Sequence, residues 1–431
     1  MTSSILCILF VLSFAFPARA QDATPPANEP EIGGVSREEA MRLRALGYLD
    51  YSPERSNLDQ SGVRLVDTSR AAPGNTLVVS STECAAQLID LSGERLHSWR
   101  QQDCVRWWSA ELLRNGDLVV VGGRPASERG PRRNSRKAPV SRFSARIGRQ
   151  GELVWLRDIR AHHQVDWTPS KEVLLLTESI RPIEEVSDRA PELTEGVEEG
   201  IVFHDNALVW LDEEGGIRQT LSLFDAVTTG PVEFDFRSRA DLLETSSHVG
   251  LFHANSAAAM DHGHLEARGS LFSKHNVLVT SRNQNRIFVV NRETRSLIWV
   301  WGRGELEAPH FATWLANGHI LVFDNGVERK TSRVLEVDPV SGRIVWQYPN
   351  GAGVEFHSET RGVAQRLTND NTLITNSQAG EVFEVTSEGK IVWRYWAPAL
   401  GEERGRPVLM SVHRYAESWS AWLDPTRDGT R

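Results

Sequence analysis

The sequence predicts an all-β fold, a six-bladed β-propeller with a short N-terminal helical extension. Three observations predict it. First, a unit made of a turn, two apolar strands and a Gly-x-apolar-apolar-Trp strand recurs along the chain. Second, its clearest tryptophans, Trp299, Trp346 and Trp393, stand 47 residues apart. Third, the strands alternate apolar and polar residues between Gly, Asn and Asp turns, the pattern of short half-buried strands. Four-stranded units of about 40–50 residues, repeated six times, suit a propeller. A sandwich would not repeat a Trp-ended strand six times, and no GH…WD signature marks the WD40 variety.

The elements follow in order. Residues 1–20 read as a secretory signal peptide: an apolar run from Ile5 to Phe16, a break at Pro17, then Ala18-Arg19-Ala20 as a small-x-small cleavage site. The run is too short to span a bilayer, and no later stretch approaches the length needed. An exported protein, periplasmic or extracellular, is expected, with no membrane span. Residues 21–60 comprise a Pro-rich linker and a short helix, SREEAMRLRALGYL, with a Ser36…Glu39 capping box. The propeller occupies 61–431. GNTLVVSS leads to Trp99, RNGDLVVVGG to Trp155, SKEVLLLTES to a strand with Thr220 at the Trp position, and KHNVLVTSR to Trp299. Near the C-terminus RPVLMSVHRYAESW reads as a strand that closes the ring with the first blade. The tryptophans are expected to pack between blades, without a catalytic role.

With the leader removed, only Cys84 and Cys104 remain. In an oxidising compartment the pair points to one disulfide, with two buried free thiols as the alternative. Two cysteines cannot supply a metal framework. Loss of Arg19 moves the formal charge from −9 to −10, a surface that repels nucleic acid. The basic run RGPRRNSRK (129–137) reads as a solvated loop, or as a rim element that attracts anions.

Three histidines stand at what the repeat marks as one position, seven residues before the first turn of a blade or its equivalent: His163 in AHHQVDWTPSK, His253 in FHANSAAAM and His310 in APHFATWLANG. In a propeller the first strand of each blade lines the channel and the second returns antiparallel to it. This places the histidines near one mouth, with the second-strand ends Glu178-Ser179, Ser281-Arg282-Asn283 and Asp324-Asn325. His253 and Arg282 should face each other across one hairpin. Three histidines can ligate zinc, but the permanent charge of Arg282 opposes a dication. An oxyanion suits guanidinium, imidazole and the Asn255 amide together. Histidines that merely satisfy buried hydrogen bonds are the bland alternative, and His162, His204, His262, His264, His275 and His357 fall off the register. No cofactor and no metal are expected.

The segments H-x-N-S (253–256), S-R-N (281–283), H-x-A (310–312) before an NG turn and FDNG (323–326) resemble the bacterial arylsulfate sulfotransferase family, exported enzymes that need no nucleotide sulfate donor. The resemblance runs from about residue 62 to 415 and implies a six-bladed propeller. It implies transfer of a sulfuryl group from an aryl sulfate to a phenol by a ping-pong route through a sulfohistidine. On it, His310 takes up the sulfuryl group, while His253, Asn255 and Arg282 hold its oxygens. His163, favoured over His162, or His253 protonates the departing phenolate. Trp107, Trp108 or Phe311 would wall the phenol. The chain departs from the family at Pro309, where a Gln-like residue is usual, and has a linker and short helix in place of the domain that pairs subunits. The insertion MDHGHLEARGS (260–270) is expected to form a loop over the mouth, and the fifth blade around the site to face it through Ser358, Thr360 or Arg361. A catalytically silent binding propeller, an aryl sulfate hydrolase and a quinoprotein-like propeller are the alternatives. Six blades and no adjacent cysteine pair oppose the last.

Overall fold

Strands of alternating burial, each too short to stand alone, can be stable here only by stacking sheet on sheet. The computed structural model describes residues 58–125, 140–197, 200–245, 247–351, 356–401 and 405–423. The expected signal peptide, the helix near Ser36 and the basic run 129–137 lie outside the described residues. Six sheets result, one per blade, antiparallel except for one added parallel strand in blade 3. Their inner strands are Leu409–Tyr415, Arg106–Leu112, Ala161–Trp167, Ala254–Ala259, His310–Trp314 and Val363–Arg366, for blades 1 to 6. Blade 1 is closed by the C-terminal strand, which pairs antiparallel with Asn75–Ser80 as the sequence predicts. A second closure was not legible: Gly62–Val66 pairs with Ile391–Trp396 at the outer edge of blade 6. The two ends of the described chain thus lock neighbouring blades.

The tryptophans secure the ring. Indole Nε1 of Trp99 donates to the Gly116 carbonyl of the next blade at 3.1 Å, and Trp155, Trp346 and Trp393 donate likewise to Glu213, Ser387 and Leu91 at 2.8 Å. In blade 4 the bond comes from Trp301 to Gly342, at 3.0 Å, rather than from the periodic Trp299. Blade 3 has Thr220 where the others place an indole, and Gln219 Nε2, one residue earlier, bonds the Arg292 carbonyl at 2.8 Å instead. Each bond is worth about 1 kcal/mol net, on top of apolar clusters that fill the space between blades.

Two insertions depart from the plain repeat. Residues 260–270 do not cover the histidine mouth. The strand Ala254–Ala259 runs away from it, so the insertion lies on the opposite face of the ring. There His264 Nε2 meets the Ala316 carbonyl at 2.8 Å and Arg268 donates to Asn317 at 2.7 Å. The mouth is instead built up by an excursion after Ile217–Ser222, containing helices Leu223–Thr228 and Arg239–Leu242 and strands Leu243–Thr245 and His248–Gly250. The last strand runs parallel to the outer end of Val202–Leu211, extending blade 3 over the rim. The Cys84–Cys104 disulfide forms, tying blade 1 to the segment entering blade 2. No described helix is long and apolar enough to cross a membrane.

Candidate active site

Every inner strand from blade 2 to blade 5 bulges near its first residues. The extra residue is Trp108 in blade 2, Asn255 in blade 4 and Phe311 in blade 5, while blade 3 accommodates both His163 and Gln164. A bulge re-aims side chains and bends the strand. The ladder corrects the histidine register read from the repeat. His310 pairs with Phe323 just before its bulge, the place held by Ala254 in blade 4 and by His162 in blade 3. His163 sits in the bulge itself, and His253 precedes its strand. The three are therefore not equivalent in the ladder, yet they converge. The rings of His163 and His253 lie 5.4 Å apart, and the protonation of His163 feels both His253 and His310. Positive φ angles at His163 (60°), His253 (46°), Phe311 (23°) and Arg361 (62°) mark the same mouth. Such conformations cost about 1–2 kcal/mol each for non-glycine residues and gather at functional sites.

His310 is buried, and its Nδ1 lies 2.8 Å from Asn325 Oδ1 and 3.2 Å from the Ala308 carbonyl. Both are acceptors. The Asn325 amide cannot be turned round, because its Nδ2 donates to the carbonyls of Ser358 and Arg361 at 2.7 and 2.6 Å. Nδ1 of His310 is consequently the N–H, and Nε2 carries the lone pair. Burial, then the Arg282 charge, lowers the His310 pKa to about 3, so the ring is neutral. The sixth-blade residues act here through their backbone: Ser358 and Arg361 aim Asn325, while the Ser358 hydroxyl donates to the Thr360 carbonyl at 2.8 Å.

Arg282 faces His253 across the hairpin as predicted, its backbone N–H donating to the His253 carbonyl at 3.2 Å. Burial lowers its pKa, Glu244 and Glu359 offsetting part of the effect. Its Nη1 donates to Asn283 Oδ1 at 3.2 Å, while its buried Nε has no partner among the described residues. Asn255 Nδ2 donates to the Pro309 carbonyl at 3.1 Å, pinning the residue before His310. Asn255 Oδ1 is buried with no partner among the described residues. His253 Nδ1 meets Glu244 Oε1 at 2.7 Å, a partner with no motif to announce it. His162, set aside on register, accepts from Asn206 Nδ2 at 3.0 Å while Asn206 Oδ1 takes the Ala254 N–H. Asn206 thus ties blade 3 to blade 4, and burial holds the His162 pKa down at about 4.

Of the aromatic residues, Trp108 and Phe311 are half-buried at their bulges, and the Phe311 ring lies 5.5 Å from His413 of the inner strand of blade 1. Trp107 is fully buried in the core between blades 1 and 2, so it cannot wall a ligand. A cavity of about 390 Å³, lined by Ser141, Arg142, Asp158, Ile159, Arg160 and Glu178, opens on this side. Arg142 and Glu178, paired at 2.5 Å, belong both to it and to the electrostatic surroundings of His162. Among the described residues no group of three His, Cys, Asp or Glu could hold a metal ion. The arrangement is a neutral imidazole nitrogen beside a guanidinium and a carboxylate-bound imidazole, suited to an oxyanion under attack.

No curated protein matches the chain. Similar solved structures include a Bacteroides caccae protein of unknown function, at 13% identity over 79% of this chain and 98% of that one, TM-score 0.47. A periplasmic gluconolactonase of Pseudomonas aeruginosa is similar at 12% identity over 80% and 99%, TM-score 0.41. A catalytically inactive variant of virginiamycin B lyase from Staphylococcus aureus is similar at 10% identity over 79% and 89%, TM-score 0.40. These likenesses bear on no residue of the site. A family model described as Arylsulfotransferase (ASST) matches residues 159–398, more than half of the chain, and takes in His163, His253, Asn255, Arg282 and His310. The chain belongs to the arylsulfotransferase family.

Proposed function

We propose that this protein transfers a sulfuryl group from an aryl sulfate to a phenol through a sulfohistidine at His310. The observation that carries the reading is the Asn325-set tautomer, which leaves His310 Nε2 as a neutral nitrogen nucleophile in a buried cationic surround. Covalent catalysis of this kind splits one displacement into two. The Nε2 lone pair attacks sulfur, an N–S bond forms, and the S–O(aryl) electron pair passes to the phenolic oxygen. Arg282 donates to the sulfuryl oxygens, which stay anionic throughout, aided by His163 and by the second N–H of Asn255.

The departing phenolate takes a proton from Nε2 of His253, which enters this step as the imidazolium and leaves it as the neutral ring protonated on Nδ1. His253 is favoured over His163 because a carboxylate accompanies it, whereas burial and then neighbouring histidines hold the His163 pKa well below its usual value. In the second half-reaction the acceptor hydroxyl returns its proton to His253 as its oxygen attacks sulfur, and the N–S pair goes back to His310. Trp108 and Phe311 offer aromatic faces to the two phenols. We further infer an oxidising, extracytosolic setting, in which the Cys84–Cys104 disulfide persists.

The test is to incubate the purified protein with 4-nitrophenyl sulfate, with and without a phenol, following nitrophenolate release and the mass of the His310 peptide. Acceptor-dependent release and a sulfuryl adduct lost in His310→Ala are expected. Release independent of any phenol would make the protein a hydrolase. Neither release nor adduct across varied aryl sulfates would overturn the reading.

A further inference from the structure

Glu244 belongs to no repeat unit. It sits nine residues before His253, in the excursion that blade 3 adds over the mouth, at an irregularity between the pairs Leu243↔Val249 and Thr245↔His248. From there Oε1 meets His253 Nδ1 at 2.7 Å and accepts from Asn283 Nδ2 at 3.1 Å. Asn283 in turn donates to the Gly250 carbonyl at 2.8 Å and accepts from Arg282 Nη1 at 3.2 Å. One carboxylate thus links the imidazole and, through an amide, the guanidinium. The backbone leaves room for it: a Cβ on Gly250 would lie 2.3 Å from Glu244 Oε1 and 2.7 Å from Asn283 Nδ2. Burial opposes the charge on Glu244, yet the hydrogen bond and charge of His253 and the Asn283 amide prevail and hold its pKa at about 2. An ionised carboxylate only accepts, so Nδ1 of His253 must be the N–H.

We propose that Glu244 is a positioning residue for sulfuryl transfer: it fixes the Nδ1–H tautomer of His253 and thereby presents Nε2 to the bridging phenolic oxygen as the proton donor and acceptor. This inference rests on the sulfotransferase reading. Glu244 touches neither sulfur nor phenol. Its effect falls on the proton that moves from His253 Nε2 to the leaving oxygen as the S–O pair arrives there. A proton donor matters most where the leaving phenolate is a strong base and least where it is a weak one. A donor that only held the site together would matter equally for both.

The experiment compares wild type and Glu244→Gln on 4-nitrophenyl sulfate and on phenyl sulfate, with one phenol acceptor. For phenyl sulfate, kcat should fall about 100-fold, the lower end of a general acid's contribution. For 4-nitrophenyl sulfate it should fall only a few-fold. Equal losses on the two donors would overturn the proposal. A second measurement is independent of turnover: nitrogen-15 resonances of His253, with the ring titrated to neutrality, should report a proton on Nδ1 in the wild type and a mixture in Glu244→Gln. A neutral His253 protonated on Nε2 in the wild type would refute the pairing. Wild type inactive on both donors, with the Nδ1 proton present, would count against the sulfotransferase reading while leaving the Glu244–His253 pair standing.

Discussion

Asn325 Oδ1 accepts from His310 Nδ1 at 2.8 Å, and this contact decides which imidazole nitrogen is free to react. Its direction is enforced from behind by two carbonyls of the segment leading into blade 6, so a residue of one blade orients the reacting group with the backbone of the next. Asn325→Ala should remove that choice of tautomer. A charge-free orienting hydrogen bond of about 1–1.5 kcal/mol, together with the lost amide bonds to the Ser358 and Arg361 carbonyls, predicts a kcat loss of about 10- to 100-fold, with a smaller change in KM. Steady-state kinetics on 4-nitrophenyl sulfate checks this, and an unchanged kcat would refute the tautomer argument.

Among the described residues Arg282 has no carboxylate in direct hydrogen-bonding contact, and burial disfavours its charge. Replacing such a group by an apolar one of similar length often stabilises a fold. Arg282→Met is therefore expected to raise the melting temperature while kcat/KM falls by at least about 100-fold. Inorganic sulfate should raise the melting temperature of the wild type, as any ligand of the native state does. It should not do so for Arg282→Met.

At the far end of the inner strands, Glu111 accepts from the Trp167 N–H and Asp166 from the Ala259 N–H, each at 2.9 Å. Burial, then like charge, raises both pKa values, that of Asp166 to about 7. Unfolded carboxylates titrate near about 4. The folded state thus binds protons more tightly, and the resulting stability is present below about pH 4 and lost as pH rises through about 7. The melting temperature should fall between about pH 4 and 7 by this route and level off above, and Asp166→Asn should flatten that part of the profile. Thermal melts across pH read it directly.

The Cys84–Cys104 bridge closes a loop with a sequence separation of 20. Loop-closure entropy for this length is worth about 3 kcal/mol. The double variant Cys84→Ser, Cys104→Ser should unfold at correspondingly lower denaturant. Its kcat on 4-nitrophenyl sulfate should stay near wild type, since neither cysteine contacts the histidine cluster.

Much of the site was legible because the repeat fixes which strand ends share a mouth. His163, His253, Arg282, Asn255 and His310 could be gathered on that ground alone, and so could Asn325 as the end of a second strand. The offsets of the three histidines from one another were not legible. A bulge adds a residue without changing the apolar alternation on either side, so counting back from the turn cannot detect it. Counting back from the turn puts Trp108 at the mouth, and the bulge supplies the reason that its neighbour Trp107 enters the core instead. The insertion at 260–270 lies on the face opposite the expected one, because the chain leaves Ala254–Ala259 at the end of that strand remote from His253.

The sequence by itself determined the blades, their number, the closing C-terminal strand and the membership of the histidine–arginine cluster. Each follows from periodic burial, and a periodic pattern is written locally along the chain. Only the tertiary structure decided which nitrogen of His310 and of His253 is free and which carboxylate stands behind His253. Those choices depend on Asn325 held by Ser358 and Arg361, and on Glu244 carried in by a segment outside the repeat. Hydrogen-bond direction is set by partners on other blades, and no spacing within one blade encodes it.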